Sequence, residues 1–158
     1  MRAVLLVDAN LLIYAVNSDA PLHADARRWW EDTLSGSNSV GLPWVCLLAF
    51  LRVTTRTGIL GKPLRVEEAV GYIEAWLDQP FVEAVSPGDN HWPILRNLLR
   101  LSGTGGNLTS DAHIAAMALE RGAVIYSADH DFSRFPGIEH VNPLAAPLGD
   151  DGGGREPA

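Results

Sequence analysis

Cysteine and lysine are nearly missing from this 158-residue chain. The single cysteine, Cys46, can close no internal disulfide and can build no cysteine-rich zinc site. The single lysine, Lys62, sits in a middle segment, so a phosphoacceptor receiver domain, which needs a lysine near its last strands, is a poor match. Long hydrophobic runs are also missing. Ala3 to Val7 and Trp44 to Leu51 are far shorter than the roughly 18 to 20 residues that cross a bilayer, so no membrane span is expected. Met1-Arg2 leads straight into the first of these runs without the longer apolar stretch and small-residue cleavage site of a signal peptide, and a cytoplasmic protein is expected. Positive charge is scarce too: 12 Lys plus Arg stand against 19 Asp plus Glu, a net charge of -7. That balance argues against a broad basic surface for nucleic acid, whose non-specific affinity comes mainly from neutralising phosphates. What is present is a 47% hydrophobic composition at a length suited to one domain with a full core.

The apolar residues alternate between strand-like and helix-like spacing. Ala3 to Val7 reads as a strand buried on both faces, with Leu11 to Val16 as a short helix after it. Leu22 to Leu34 carries one apolar face, as an amphipathic helix requires. Val40 to Leu42 reads as a strand, Pro43 opens a helix to about Thr57, Val66 to Asp78 is another helix and Phe81 to Val85 a strand. Asn90 to Leu101 and Asp111 to Arg121 read as helices around the loop Ser102 to Asn107, and Val124 to Tyr126 and Ile138 to Val141 close the series as strands. Strands separated by helices predict an α/β sandwich, a mostly parallel central sheet flanked by helices. One domain is expected over residues 1–146, followed by a solvated tail over 147–158 with three consecutive glycines.

Open parallel sheets collect ligands outside the carboxyl ends of their strands. Asp8 directly follows the first strand, Asp129 and Asp131 follow Val124-Ile125-Tyr126, and Asp111 begins the helix before that strand. Carboxylates gathered within a few ångströms raise one another's pKa unless a cation intervenes. Oxygen ligands without clustered Cys or His favour Mg²⁺ or Mn²⁺ over Zn²⁺, and such an ion suits metal-dependent phosphodiester hydrolysis. Each acid also has an ordinary reading: Asp111 as a helix cap, Asp131 as a turn residue. Asp8 is harder to explain that way, since a carboxylate in an apolar neighbourhood is costly unless it is paired, metal-bound or capping. Asn10 offers a further oxygen ligand or a cap for the helix that follows it, and no metal role is assigned to His91, His113 or His130.

The segments Val4-Leu5-Leu6-Val7-Asp8-Ala9-Asn10, Leu48-Ala49-Phe50-Leu51-Arg52-Val53, Thr109-x-Asp111-Ala112-His113-Ile114-Ala115-Ala116 and Ser127-x-Asp129-x-Asp131-Phe132 together resemble a PIN domain. Within that family the chain is most similar to the VapC-type ribonuclease toxins of bacterial toxin-antitoxin pairs, over about Ala3 to Pro143. The resemblance implies a PIN-like three-layer sandwich and an endoribonuclease that cuts structured RNA, often tRNA or ribosomal RNA, with Mg²⁺ or Mn²⁺. It implies that Asp8 and Asp111 are the principal metal carboxylates, that Asp129 completes the site with Asp131 near it, and that Asn10, Thr109 and Arg52 contact substrate or support the ligands. It further implies a homodimer neutralised by a cognate VapB-type antitoxin.

One departure stands out. The family commonly carries a Glu three residues before the position of Arg52, where this chain has Ala49, and no carboxylate occurs between Asp32 and Glu67. The competing expectation is therefore a catalytically weakened PIN-like module that binds RNA or protein. Other enzymes fit less well: Asn10 stands where haloacid-dehalogenase-like phosphatases need a second Asp, and no glycine-rich turn follows the first strand for a dinucleotide. Trp29, Trp30, Trp44, Trp76 and Trp92 are read mainly as core, with any exposed ones suited to a partner face. The pairs Arg52/Arg56 and Arg96/Arg100 have the i, i+4 spacing that puts two guanidinia on one helix face, and Arg27, Arg28 and Arg134 are further candidates for RNA. RNA binding is thus expected to depend on divalent metal and local arginines.

Overall fold

The computed structural model describes residues 4–103 and 105–145. Five strands, β1 (Val4–Val7), β2 (Ser39–Pro43), β3 (Val82–Val85), β4 (Val124–Tyr126) and β5 (His140–Val141), form one sheet in the order β3-β2-β1-β4-β5. Every pairing is parallel. Six helices connect them: α1 (Ala9–Val16), α2 (His23–Ser35), α3 (Trp44–Thr55), α4 (Val66–Leu77), α5 (His91–Ser102) and α6 (Thr109–Arg121). The α/β sandwich expected from the alternation is the observed fold, and the sheet is wholly parallel where it was expected to be mostly so. The expected tail at 147–158 lies outside the described residues, as does Ala3 of the first expected strand.

Side chains alternate between the two faces of a strand, and successive residues of β1 accordingly enter two different cores. Leu6 joins Ile125, Val85 and the buried side of α6, while Val7 joins Val40, Leu42, Val82 and the inner faces of α1 and α2. The second core is held by an aromatic cluster. Trp76 meets Trp30 edge-on at 5.6 Å and Phe50 at 5.0 Å between ring centroids. Trp30 and Trp76 are buried as expected, whereas Trp44 and Trp92 are 49% and 60% exposed, so they add nothing to either core. Gly41 in β2 is a packing requirement: a Cβ there would lie 2.6 Å from Leu6 Cδ2 and 2.7 Å from Val85 Cγ2.

Helix starts differ from the sequence reading in two places that matter for the site. Asp8, not Asn10, caps α1, its Oδ1 accepting the Ala9 amide at 2.8 Å. Asn10 lies inside the first turn instead. Helix α6 begins at Thr109, two residues earlier than expected, and Asp111 therefore sits in its first turn and is not its cap. The chain first winds one turn of 3-10 helix at Gly106–Leu108, which overlaps the end of the segment expected to be loop, Ser102 to Asn107.

Candidate active site

The order of strands reverses at β1, whose neighbours are β2 on one side and β4 on the other. The crevice outside the carboxyl ends of β1 and β4 is thus where this topology places a ligand. Val7 pairs with Tyr126, and the Asp8 amide donates to the Tyr126 carbonyl at 2.9 Å, so Asp8 and Ser127 leave the sheet side by side.

Ser127 is completely buried and joins the two strand ends. Its hydroxyl donates to Asp8 Oδ2 at 2.8 Å and accepts from Asn10 Nδ2 at 3.1 Å and from the Asp129 amide at 3.0 Å. Those three bonds use the whole capacity of a serine hydroxyl. Asn10 also donates weakly to Asp8 Oδ2 at 3.4 Å, and its Oδ1 accepts the Ala128 amide at 3.3 Å. Asn10 therefore stitches α1 to the segment after β4. On the other oxygen of Asp8, the Cys46 thiol donates across 3.7 Å from the first turns of α3. Asp8 thus receives four donors, as many as a carboxylate has lone-pair sites. Burial raises the pKa of Asp8, against the lowering effect of the bonds from Ser127, Ala9 and Cys46. Burial also lifts the Cys46 thiol well above its ordinary range, helped by the charge of Asp8, so it is a neutral donor.

Asp111, Asp129 and Asp131 complete the arrangement. One ligand oxygen from each lies within 4.8 Å of the others, and all three side chains are half-buried. Asp129 Oδ1 accepts the Asp131 amide at 2.9 Å, which starts the 3-10 turn His130–Arg134 and aims both carboxylates at one place. Asp111 comes from α6 and accepts no hydrogen bond among the described residues. Partial burial, followed by the charges of Asp129, Asp8 and Asp131, pushes its pKa from 3.8 up to about 7. Repulsion of this kind is what a divalent cation relieves, and an all-oxygen donor set fits a hard ion. The carboxylates therefore fit Mg²⁺ or Mn²⁺.

The sequence-derived site residues fall into two groups. Asp8, Asn10, Asp111, Asp129 and Asp131 are brought to one edge of the sheet. Thr109 and Arg52 are exposed, and neither side chain has a hydrogen bond or ion pair among the described residues. Arg52 is therefore not tied to a site acid. Ala49 packs, partly buried, against the core that contains Cys46, Ala9 and Ala112, so α3 presents a thiol and a methyl group where a second acid was looked for. Ser127 and Cys46 were missed as contributors to the site. Ser127 had a signal, since it follows its strand just as Asp8 does; Cys46 had none beyond standing three residues before Ala49 on one helix.

Comparison with known proteins agrees with this fold. The PIN domain family model matches residues 5–138. Ribonuclease VapC37 of Mycobacterium tuberculosis is 44% identical over 140 residues, covering 89% of this chain and 97% of the relative. Ribonuclease VapC33 of the same species is 39% identical over 141 residues, covering 89% and 99%. Among solved structures, the VapBC2 complex of Rickettsia felis, bound to a DNA fragment from its promoter, aligns with TM-score 0.66 at 15% identity over 88% of this chain and 98% of that one. Mycobacterium tuberculosis VapC20, a toxin that cleaves the sarcin-ricin loop, aligns with TM-score 0.61 at 20% identity over 82% and 92%. The fold is that of a PIN domain. The chain belongs to that family, within its branch of VapC-type ribonucleases.

Proposed function

We propose that the protein is a divalent-metal-dependent endoribonuclease, the toxin of a type II toxin-antitoxin pair, acting in the cytoplasm on structured RNA such as tRNA or ribosomal RNA. The observation that carries this reading is the convergence of Asp111, Asp129 and Asp131 within 4.8 Å beside Asp8. Asp111, Asp129 and Asp131 supply the oxygens that would hold Mg²⁺ or Mn²⁺. Asp8, held by Ser127, Asn10 and Cys46, completes the negative pocket and would join as a ligand by giving up one of its donors. When bound, the ion supplies Lewis acidity toward a phosphodiester oxygen and eases deprotonation of water. Arg52, exposed on α3 and without an ion pair among the described residues, is suited to a phosphate as a planar donor, and Thr109 and Asn10 flank the acids on α6 and α1.

Three carboxylates still converge despite Ala49, which supports an active enzyme over a decayed binding module. The similarity to VapC ribonucleases and to VapBC complexes supports a cognate VapB-type antitoxin, and a homodimeric toxin is part of the same proposal. The test is to express wild type and Asp8→Ala in cells without the antitoxin and to sequence the new RNA ends. Discrete new 5′ ends with wild type alone support the reading; identical end profiles overturn it. Calorimetric titration with Mn²⁺ separates enzyme from binding module, since a module with a decayed site takes up no ion.

A further inference from the structure

Arg134 closes the 3-10 turn that carries Asp131, and its Nε lies 3.5 Å from Asp131 Oδ1. Among the described residues it is the only arginine paired with a carboxylate of the cluster; Arg27 and Arg65 pair with Glu31 and Glu68 on their own helices. The turn beneath it is fixed. Phe132 is fully buried and Phe135 is 3% exposed, so the backbone on both sides of Arg134 is anchored in the core while the guanidinium stays in solvent. Both side chains of the pair are substantially exposed, which makes the contact weak and quickly exchanged.

We propose that Arg134 exchanges partners during the catalytic cycle: it neutralises Asp131 while the cluster holds no ion, and it grips a phosphate of the RNA once a divalent cation occupies the carboxylates. The inference rests on the ribonuclease reading above and adds a substrate contact to it. The driving force is simple electrostatics. An ion shared by Asp111, Asp129 and Asp131 offsets two of their three negative charges, which weakens the hold on the guanidinium and sets a cation near it. The RNA backbone then offers the nearest anion, and a guanidinium fork matches a phosphate. Two consequences separate this from a structural role for Arg134. Removing the guanidinium removes a competitor of the metal, and it removes one phosphate contact from the complex.

The experiment compares wild type, Arg134→Gln and Arg134→Lys, first by Mn²⁺ titration of the metal-free proteins without RNA, then by cleavage of total tRNA across a series of salt concentrations. Arg134→Gln is expected to bind Mn²⁺ about two- to fivefold more tightly, the range set by an exposed ion pair. It is expected to raise KM more than it lowers kcat, and to flatten the slope of log KM against log salt by about 0.7–0.9, the loss of one phosphate contact. Arg134→Lys restores the salt slope. Unchanged Mn²⁺ affinity, or a wild-type salt slope in Arg134→Gln, overturns the proposal while leaving the ribonuclease reading intact. A wild-type protein that binds Mn²⁺ and cuts no RNA overturns both.

Discussion

Asp111 is a carboxylate whose pKa is pushed up to about 7 by partial burial and neighbouring acids, and its replacement by Asn is an informative perturbation. The direction follows from linkage. Its pKa is raised from 3.8 to about 7, so between those values the folded protein holds a proton that the unfolded chain has released. Stability from this group is complete below about pH 4 and is lost as pH rises through 7. Asn cannot ionise and escapes the loss. The interval corresponds to about 4 kcal/mol at 1.36 kcal/mol per pH unit. The side chain is only half-buried, and solvent screening reduces this to ~1–2 kcal/mol. The charged form also gains ~0.3–1 kcal/mol from its place in the first turn of α6, which Asn gives up. The net expectation is that Asp111→Asn stabilises the metal-free protein by ~1 kcal/mol at pH 8, a rise of about 2–4 °C in Tm for a chain of this size. At pH 5 the gain falls to about a third of that, since the folded carboxyl is then mostly protonated. The assay is thermal unfolding in EDTA from pH 4.5 to 8.5. Added Mn²⁺ should reverse the order, because only the wild type gains stability from a tightly held ion. A variant less stable than wild type at pH 8 in EDTA, or a difference independent of pH, would refute the reasoning.

Other expectations follow from the packing and the charges. Arg52→Glu should lower kcat/KM for RNA tenfold or more, equivalent to about 1.4 kcal/mol of transition-state binding, with no change in Tm, as steady-state cleavage and melting together would show. Gly41→Ala should cost ~1–3 kcal/mol in chemical denaturation, because its methyl group must displace Leu6 and Val85 from the interior of the sheet. Trp76→Ala should cost ~3–5 kcal/mol in the same measurement, since it removes the ring on which Trp30 and Phe50 meet.

The fold was largely legible because buried parallel strands read as continuous apolar runs and the helices between them are bounded by Pro and Gly. Val124 to Tyr126 was placed to the residue, and the other boundaries fell within about two residues. Errors gathered at the site, where residues serve purposes other than local structure. Capping is one of the roles the sequence leaves open for Asp8; its carboxylate does cap α1, so the helix begins two residues before Leu11, where the sequence reading starts it. Asp111 looks like a cap at a helix start, yet its carboxylate is left to the cluster. The side-chain network through Ser127 depends on β1 and β4 being neighbours, a pairing between residues more than 100 apart that no local pattern encodes. The exposure of Trp44 and Trp92 was equally invisible, since a large aromatic on a helix reads as core until the neighbouring elements are placed.

The proposed function requires a divalent ion on the carboxylate edge for RNA cleavage. Its most direct test is cleavage of total tRNA by purified toxin free of antitoxin, measured with Mn²⁺, with EDTA, and with Asp129→Asn in Mn²⁺. Discrete cleavage products are expected in the first case only, with recovery from EDTA when Mn²⁺ is restored. Cleavage that persists at the wild-type rate in EDTA or in Asp129→Asn would contradict the proposed function.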